Sequence, residues 1–181
     1  MRVITGSARG RKLETLSGED VRPTTDKVKE SVFSIIQFQL QGRMFLDLFA
    51  GSGQMGVEAL SRGAKGAYFL DMRRDAVAVI RKNLSATGLE DKAEVRCADS
   101  LMFLSICPVK FDIAFVDPPY NKGIAKKALE ALPSVMNQSG VIVVETAAEE
   151  ELPESTGEFV LDRTYRYGKI KITTYRCPVE D

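Results

Sequence analysis

From Met44 onward the apolar positions fall into short runs separated by stretches of helical spacing. Met44–Phe49, Ala67–Leu70, Ala93–Cys97, Phe111–Val116 and Val141–Val144 are apolar runs of strand length. Between them, residues 54–62, 74–87, 99–105 and 124–132 carry the helical period; Gly88 closes the second and Pro133 interrupts the fourth. This alternation predicts parallel βαβ units with helices on both faces of one sheet. After an acidic stretch the period changes: Glu158–Tyr165 and Lys169–Tyr175 read as two strands joined across Tyr167-Gly168, an antiparallel hairpin. Residues 1–43 read as an N-terminal extension. In it, Val3-Ile4 and Arg11–Glu14 are predicted as short strands around a Gly/Ser/Arg loop. A helix starts near Asp26, capped by Thr24 or Thr25, with Val28, Phe33, Ile35, Ile36 and Leu40 on its apolar face and Gly42 at its end. The expected organisation is therefore an extension over residues 1–43 and a βαβ domain over 44–181.

Composition narrows the class. At 181 residues the chain fits one domain of ordinary size, about 100–200 residues. No apolar run nears the roughly 20 residues that a spanning helix needs, and Met1–Gly6 has no apolar leader core, so a cytoplasmic protein without membrane contact is expected. The three cysteines (Cys97, Cys107, Cys177) are widely spaced with no CxxC pair and read as reduced thiols. There is no histidine, which removes the usual general base and most transition-metal sites. Chemistry is left to carboxylates, backbone groups and a cofactor, with no metal expected.

The formal charge is zero, from 25 basic and 25 acidic residues, but the charges are segregated. Arg2, Arg9, Arg11 and Lys12 stand without an acid at the start of the chain. Arg163, Arg166, Lys169, Lys171 and Arg176 do so near its end, and residues 145–158 are acidic without a base. Basic arms on a neutral body suit a polyanion.

A glycine loop follows the first strand: Gly51, Gly53 and Gly56 satisfy GxGxxG between a strand and a helix, where glycine permits a tight turn and close ligand approach. The spacing alone allows either a nicotinamide dinucleotide or S-adenosylmethionine. Asp47, at the end of the first strand, suits the amino group of a methionine moiety and would repel a pyrophosphate. Asp71, after the second strand, suits the ribose hydroxyls. Asp99, after the third, suits the adenine amine, although Asp47 and Asp99 also fit turn or cap roles. Acids at successive strand ends match the ligand edge of open α/β sheets. The expected cofactor set is Asp47, Phe49, Ala50, Gly51, Ser52, Gly53, Gly56, Asp71, Met72, Asp99, Ser100 and Asp117.

Asp117-Pro118-Pro119-Tyr120 follows the fourth strand. Two prolines fix φ and remove two backbone donors, so the loop presents acceptors in a rigid form. A nucleobase amine is a poor nucleophile because its lone pair is delocalised into the ring. The Asp117 carboxylate and Pro118 carbonyl can accept its two N–H groups and localise that lone pair. Tyr120 offers a face for stacking, worth roughly 1–3 kcal/mol per base. Asp117, Pro118, Pro119 and Tyr120 are the expected catalytic residues, on an adenine, cytosine or guanine amine alike.

With these motifs the sequence resembles the class I methyltransferases of the DPPY amino-methylating group. More closely, it resembles the bacterial RsmD family, which methylates the exocyclic N2 of a guanine in 16S ribosomal RNA. The resemblance rests on Ile4-Thr5-Gly6 with Arg9-Gly10-Arg11, Arg22-Pro23-Thr24 with Lys29–Phe33, Asp47–Gly53, Gly56, Glu58–Ala64, Asp117–Tyr120 and Tyr167-Gly168. It implies a Rossmann-like, seven-stranded, mostly parallel sheet with a terminal antiparallel hairpin, one of whose members is inserted antiparallel. It also implies S-adenosylmethionine as cofactor and action on 16S rRNA in the small subunit or its assembly intermediate; a monomer is expected. Arg9, Arg11, Lys12, Arg22, Thr24 and Lys29 are the expected RNA contacts. Asp71 and Lys29 depart from the family's more common Glu and Arg, keeping charge. The alternatives are an adenine-N6 or cytosine-N4 methyltransferase of DNA or RNA, the chain having little room for the separate target-recognition domain that DNA would ask for, a nicotinamide-dependent oxidoreductase, and a non-catalytic RNA-binding module, against which the intact Asp117 and glycine loop argue.

Overall fold

The computed structural model describes residues 1–18 and 24–180; the expectation for Arg22 and Pro23 lies outside them. Strands β1 (Met44–Asp47), β2 (Gly66–Asp71), β3 (Ala93–Cys97), β4 (Phe111–Val116) and β5 (Met136–Ala147) are parallel neighbours. Strands β6 (Ser155–Thr156), β7 (Phe159–Tyr167) and β8 (Ile170–Arg176) follow, and the sheet order is β3-β2-β1-β4-β5-β8-β7-β6. β8 inserts antiparallel between β5 and β7, as the resemblance implied.

The sheet has eight strands, not seven. The additional β6 is two residues long and pairs with β7 around Gly157, too short to leave an alternation in the sequence. β5 starts five residues before the apolar run that announced it, because Met136 already pairs with Phe111 across a register shift. Gly168, with φ +60°, makes the hairpin turn with Lys169, one residue beyond the expected Tyr167-Gly168 centre.

Helices α1 (Asp26–Ile36), α2 (Gln54–Ser61) and α3 (Arg74–Thr87) cover one face of the sheet; α4 (Ser100–Ile106) and α5 (Ile124–Ala131) cover the other. Alternation sorts the strand residues: Phe45, Phe69, Ile113 and Phe115 face the first layer, and Leu46, Leu70, Ala114 and Val116 the second. α1 is capped by Thr25, whose hydroxyl accepts from the Val28 amide at 3.3 Å; it ends at Ile36, and a 3-10 turn carries the chain on before Gly42. No helix among the described residues is long and apolar enough to cross a membrane.

The extension does not stand apart. Val3, Ala8, Leu13, Val32 and Phe33 lie in one apolar cluster with Phe45, Val57 and Leu60. The expected pair of N-terminal strands is reduced to one antiparallel bridge, Arg2 to Lys12: Val3 and Leu13 still donate to Arg11 and Met1, but the Ile4, Thr5 and Ala8 amides turn to α2. Glu58, fully buried, accepts from the Ile4 and Thr5 amides at 2.9 Å each, and Ser61 bonds Thr5 and Ala8. Gly6, with φ +94°, runs so close to Ser61 that an added Cβ would sit 1.8 Å from its carbonyl oxygen.

Candidate active site

Chain order reverses between β1 and β4, and open α/β sheets bind ligands in the crevice at such a switch point. Asp47 is the last residue of β1 and pairs in register with Phe115; Asp117 lies two residues farther on, just past β4. Both carboxylates line one cleft of about 170 Å³, together with Phe49, Ala50, Gly51 and Ser52.

The glycine loop is built by three distinct constraints. Gly51 and Gly53 have φ of +56° and +79°, and Gly53 sits at the start of α2. Gly56 has an ordinary φ, but a Cβ there would lie 2.3 Å from the Phe69 ring, so this glycine brings α2 against β2. The Asp47 carboxylate accepts from the Gly56 amide at 3.0 Å. Burial pushes the Asp47 carboxyl up to about 7; the Gly56 bond opposes the rise and the nearby Asp71 charge adds to it. A desolvated carboxyl held near neutrality is suited to meeting a cation.

Asp71 spans the loop: one oxygen accepts from the Gly51 amide at 3.0 Å and the other from Arg73 at 2.9 Å. Met72 beside it is 65% exposed and offers an apolar surface at the same rim. Asp99 caps α4, accepting from the Met102 amide at 2.9 Å, which realises the cap role open to it in the sequence. Ser100 is buried, its hydroxyl donating to the Leu48 carbonyl.

In the Asp117–Tyr120 loop, Pro118 is buried, Pro119 exposed and Tyr120 half-buried. Asn121 follows with φ +59° and turns the chain toward α5. The Tyr120 hydroxyl donates to Glu145 Oε1 at 2.7 Å, and Glu145, on β5, is itself buried.

Several lining residues were missed by sequence reasoning. Met1, Thr15 and Leu16 of the extension form part of the same cleft, as do Gln54, Met55 and Phe115. Asn83, buried in mid-α3, exchanges hydrogen bonds with the Glu14 backbone and donates to the Ser52 carbonyl at 2.9 Å, tying extension to glycine loop. A lone Asn inside a helical run gave no signal. Glu58, by contrast, stood among the residues of the resemblance without an assigned role.

The expected RNA contacts divide. Arg9, Arg11 and Lys12 are exposed on a loop shaped by Gly6 and Gly10. Lys29 is not at the surface: it is fully buried, donates to the Arg2 carbonyl at 2.7 Å and lies 3.7 Å from Glu58, so it holds the extension instead of touching RNA. Desolvation lowers its pKa, with Glu58 opposing. Thr24 is buried in the cleft wall, its hydroxyl donating to Glu145 Oε2 at 3.4 Å. The C-terminal basic stretch is partly neutralised by the acidic one, Arg166 pairing with Glu149 at 2.8 Å, and Lys171 donates to the backbone carbonyl of Glu150.

Residues 1–176 match the family described as Conserved hypothetical protein 95. The chain belongs to this family, the RsmD methyltransferases. It is 34% identical to Ribosomal RNA small subunit methyltransferase D of Escherichia coli (strain K12), over 97% of this chain and 89% of that one. It is 38% identical to the protein of the same name from Haemophilus influenzae, over 84% and 81%. A solved Escherichia coli structure, yhhF, superposes with a TM-score of 0.88 at 32% identity, over 98% of this chain and 97% of that one. Among the described residues of this RsmD-family chain, no group of His, Cys, Asp or Glu is arranged to hold a metal ion.

Proposed function

We propose that the chain transfers a methyl group from S-adenosylmethionine to the exocyclic N2 of a guanine in small-subunit ribosomal RNA. The observation that carries this reading is the meeting of Asp47 and Asp117 in one cleft at the sheet's switch point, with Tyr120 beyond. The residues present fit the cofactor. The positive-φ glycines leave its approach open, the buried Asp47 carboxyl suits a methionine ammonium, and Asp71 at the rim suits a ribose. When bound, S-adenosylmethionine supplies an electrophilic methyl.

The chain's own groups do the remainder. Asp117 and the Pro118 carbonyl accept the amine N–H groups, so the nitrogen lone pair is localised and aimed. As the N–C bond forms, the methyl–sulfur bond would break to leave S-adenosylhomocysteine, and Asp117 takes the proton shed by the methylated amine. Positioning of this kind can supply much of a displacement's rate. The relatives from Escherichia coli and Haemophilus influenzae carry small-subunit rRNA in their names, and the exposed Arg9, Arg11 and Lys12 fit a phosphate backbone.

Methyl transfer to undermodified small subunits tests the reading. Asp117→Ala is expected to abolish transfer while S-adenosylhomocysteine still binds by calorimetry. Near-normal turnover would sink the assigned role of Asp117. N6-methyladenine or N4-methylcytosine in the mapped product, or transfer to duplex DNA alone, would overturn the substrate.

A further inference from the structure

Tyr167 ends β7 beside the start of α1. With Thr24, Lys27, Glu145 and Ile170 it walls a second hollow of about 330 Å³. That volume falls in the roughly 300–1,000 Å³ span of small-molecule sites. Thr24 also lines the cleft of Asp47 and Asp117, so one residue parts the two hollows. Glu145 is a second link, since it accepts from the Tyr120 hydroxyl at 2.7 Å. No residue of Asp117–Tyr120 is among the described lining of the second hollow. The reacting base therefore belongs in the cleft, and the hollow faces what is joined to that base. In a polynucleotide this is the next nucleotide of the strand.

The lining suits such an occupant. Tyr165 and Tyr167 pack half-buried against the core cluster of the α1 side, and exposed Arg163 shares their face of β7 through its pairing with Thr174. Lys27, in the first turn of α1, is exposed and lines the hollow. Exposed Lys169 lies in the chain between the lining residues Gly168 and Ile170. The acid of this wall, Glu145, is 3% exposed and bonded to the Thr24 and Tyr120 hydroxyls. An aromatic face with cations beside it is the chemistry of single-stranded nucleic acid, because every base has a face to stack and every phosphate a charge to meet. Gly168, with φ +60°, lets the chain turn immediately after Tyr167 and keeps the ring next to α1. We propose that the second hollow receives the base adjacent to the target nucleotide, stacked on Tyr167, with its phosphate beside Lys27. This rests on the RNA amino-methylating reading above.

The test pairs a side chain with a base. Splint-ligated 16S rRNA, assembled into small subunits, would carry an abasic residue on the 5′ or the 3′ side of the nucleotide that mass mapping shows the wild-type enzyme to methylate. Tyr167→Leu keeps apolar packing against the core but removes the ring face, and is expected to lower kcat/KM on intact subunits about 10-fold, a loss of the size that stacking supplies. One of the two abasic positions should cost the wild-type enzyme about as much. On those abasic subunits Tyr167→Leu and wild type should be equal, and Tyr167→Phe should stay within a few-fold of wild type on intact ones. Lys27→Ala should reduce the log K against log salt slope by about 1. Calorimetry with S-adenosylhomocysteine confirms that each variant is folded. A Tyr167→Leu enzyme that matches wild type on intact subunits overturns the proposal. So do losses from side chain and base that multiply to about 10²-fold, since ring and base then act apart. An unchanged salt slope in Lys27→Ala overturns the phosphate contact. If wild type transfers no methyl to small-subunit RNA, the reading of the function falls and this proposal with it; if transfer proceeds and only the Tyr167 results fail, that reading stands.

Discussion

Single carboxylates divide the work here according to their surroundings. Asp47 is desolvated and its pKa is raised to about 7, so it carries a proton in the folded apoprotein below that pH. An acid whose pKa is raised on folding weighs against the folded state once the unfolded form can ionise, and most where both forms are ionised. Stability from this group therefore declines as pH climbs from about 4, the unfolded value, to about 7, and is level above. A bound ammonium reverses the preference and drives the proton off. Affinity for S-adenosylhomocysteine is thus expected to rise from pH 5.5 to 7 and level off above it, with proton release on binding at the lower pH. Calorimetry in buffers of different ionisation enthalpy measures both, and Asp47→Asn should flatten the profile. Glu58 is the opposite case, a carboxylate buried with its charge matched on several sides. It takes two backbone amides and Arg62 at 2.9 Å, with Lys29 alongside. Glu58→Ala leaves those donors and a buried ammonium unmatched, a class of change costing about 3–5 kcal/mol. A chemical denaturation midpoint close to wild type would contradict that account.

At the scale of elements, the parallel core and both site loops were legible because their signals are local. A strand of apolar residues, a glycine-rich turn and a capped helix each state themselves within about ten residues, and α3 runs over Arg74–Thr87 as its period and Gly88 required. What was not legible depends on partners distant in the chain. Asn83 and Glu145 look like ordinary polar residues until the fold sets them against Ser52 and Tyr120. Lys29 shows the same limit from the other side: the resemblance set it among the RNA contacts, and only the approach of Glu58 shows that the charge is spent inside. β6 was invisible because two residues cannot display a period. The N-terminal loop keeps its expected character, with Arg9 and Arg11 exposed on a turn that Ser61 and Glu58 hold in place. Arg9→Ala with Arg11→Ala is therefore expected to weaken binding to small-subunit RNA and to reduce the log K against log salt slope by about 2, one for each phosphate that the variant leaves unneutralised. Lys29→Ala should instead lower stability and leave that slope unchanged in the folded fraction. A filter-binding salt series separates the two.

Across the whole molecule, the extension and the catalytic part share both a core and a site, so ligand binding and folding of residues 1–16 are coupled. Val3, Ala8 and Leu13 fill the same cluster as Val57 and Leu60, while Met1, Thr15 and Leu16 wall the cleft of Asp47 and Asp117. Asn83 closes the circuit by holding Glu14 on one side and Ser52 of the glycine loop on the other. A ligand that binds only the closed arrangement adds RT ln(1 + [L]/Kd) to its stability, about 2.7 kcal/mol at 100-fold excess over Kd. That gain falls on every group whose opening destroys the cleft, not only on those touching the ligand. Saturating S-adenosylhomocysteine should therefore slow amide exchange at Val3, Gly10 and Leu13, whose amides bond within the extension, as well as at Gly51 and Gly56. Asn83→Ala cuts the tie while keeping every residue that lines the cleft, at the cost of one bond to the Ser52 carbonyl. In that variant the protection at Gly51 and Gly56 should persist while the added protection at Val3 and Leu13 fades. If ligand slows exchange at the glycine loop alone in the wild-type protein, the extension is a passenger on the cleft; if it slows both, the segment that carries Arg9 and Arg11 is set in place by the same event that loads the methyl donor.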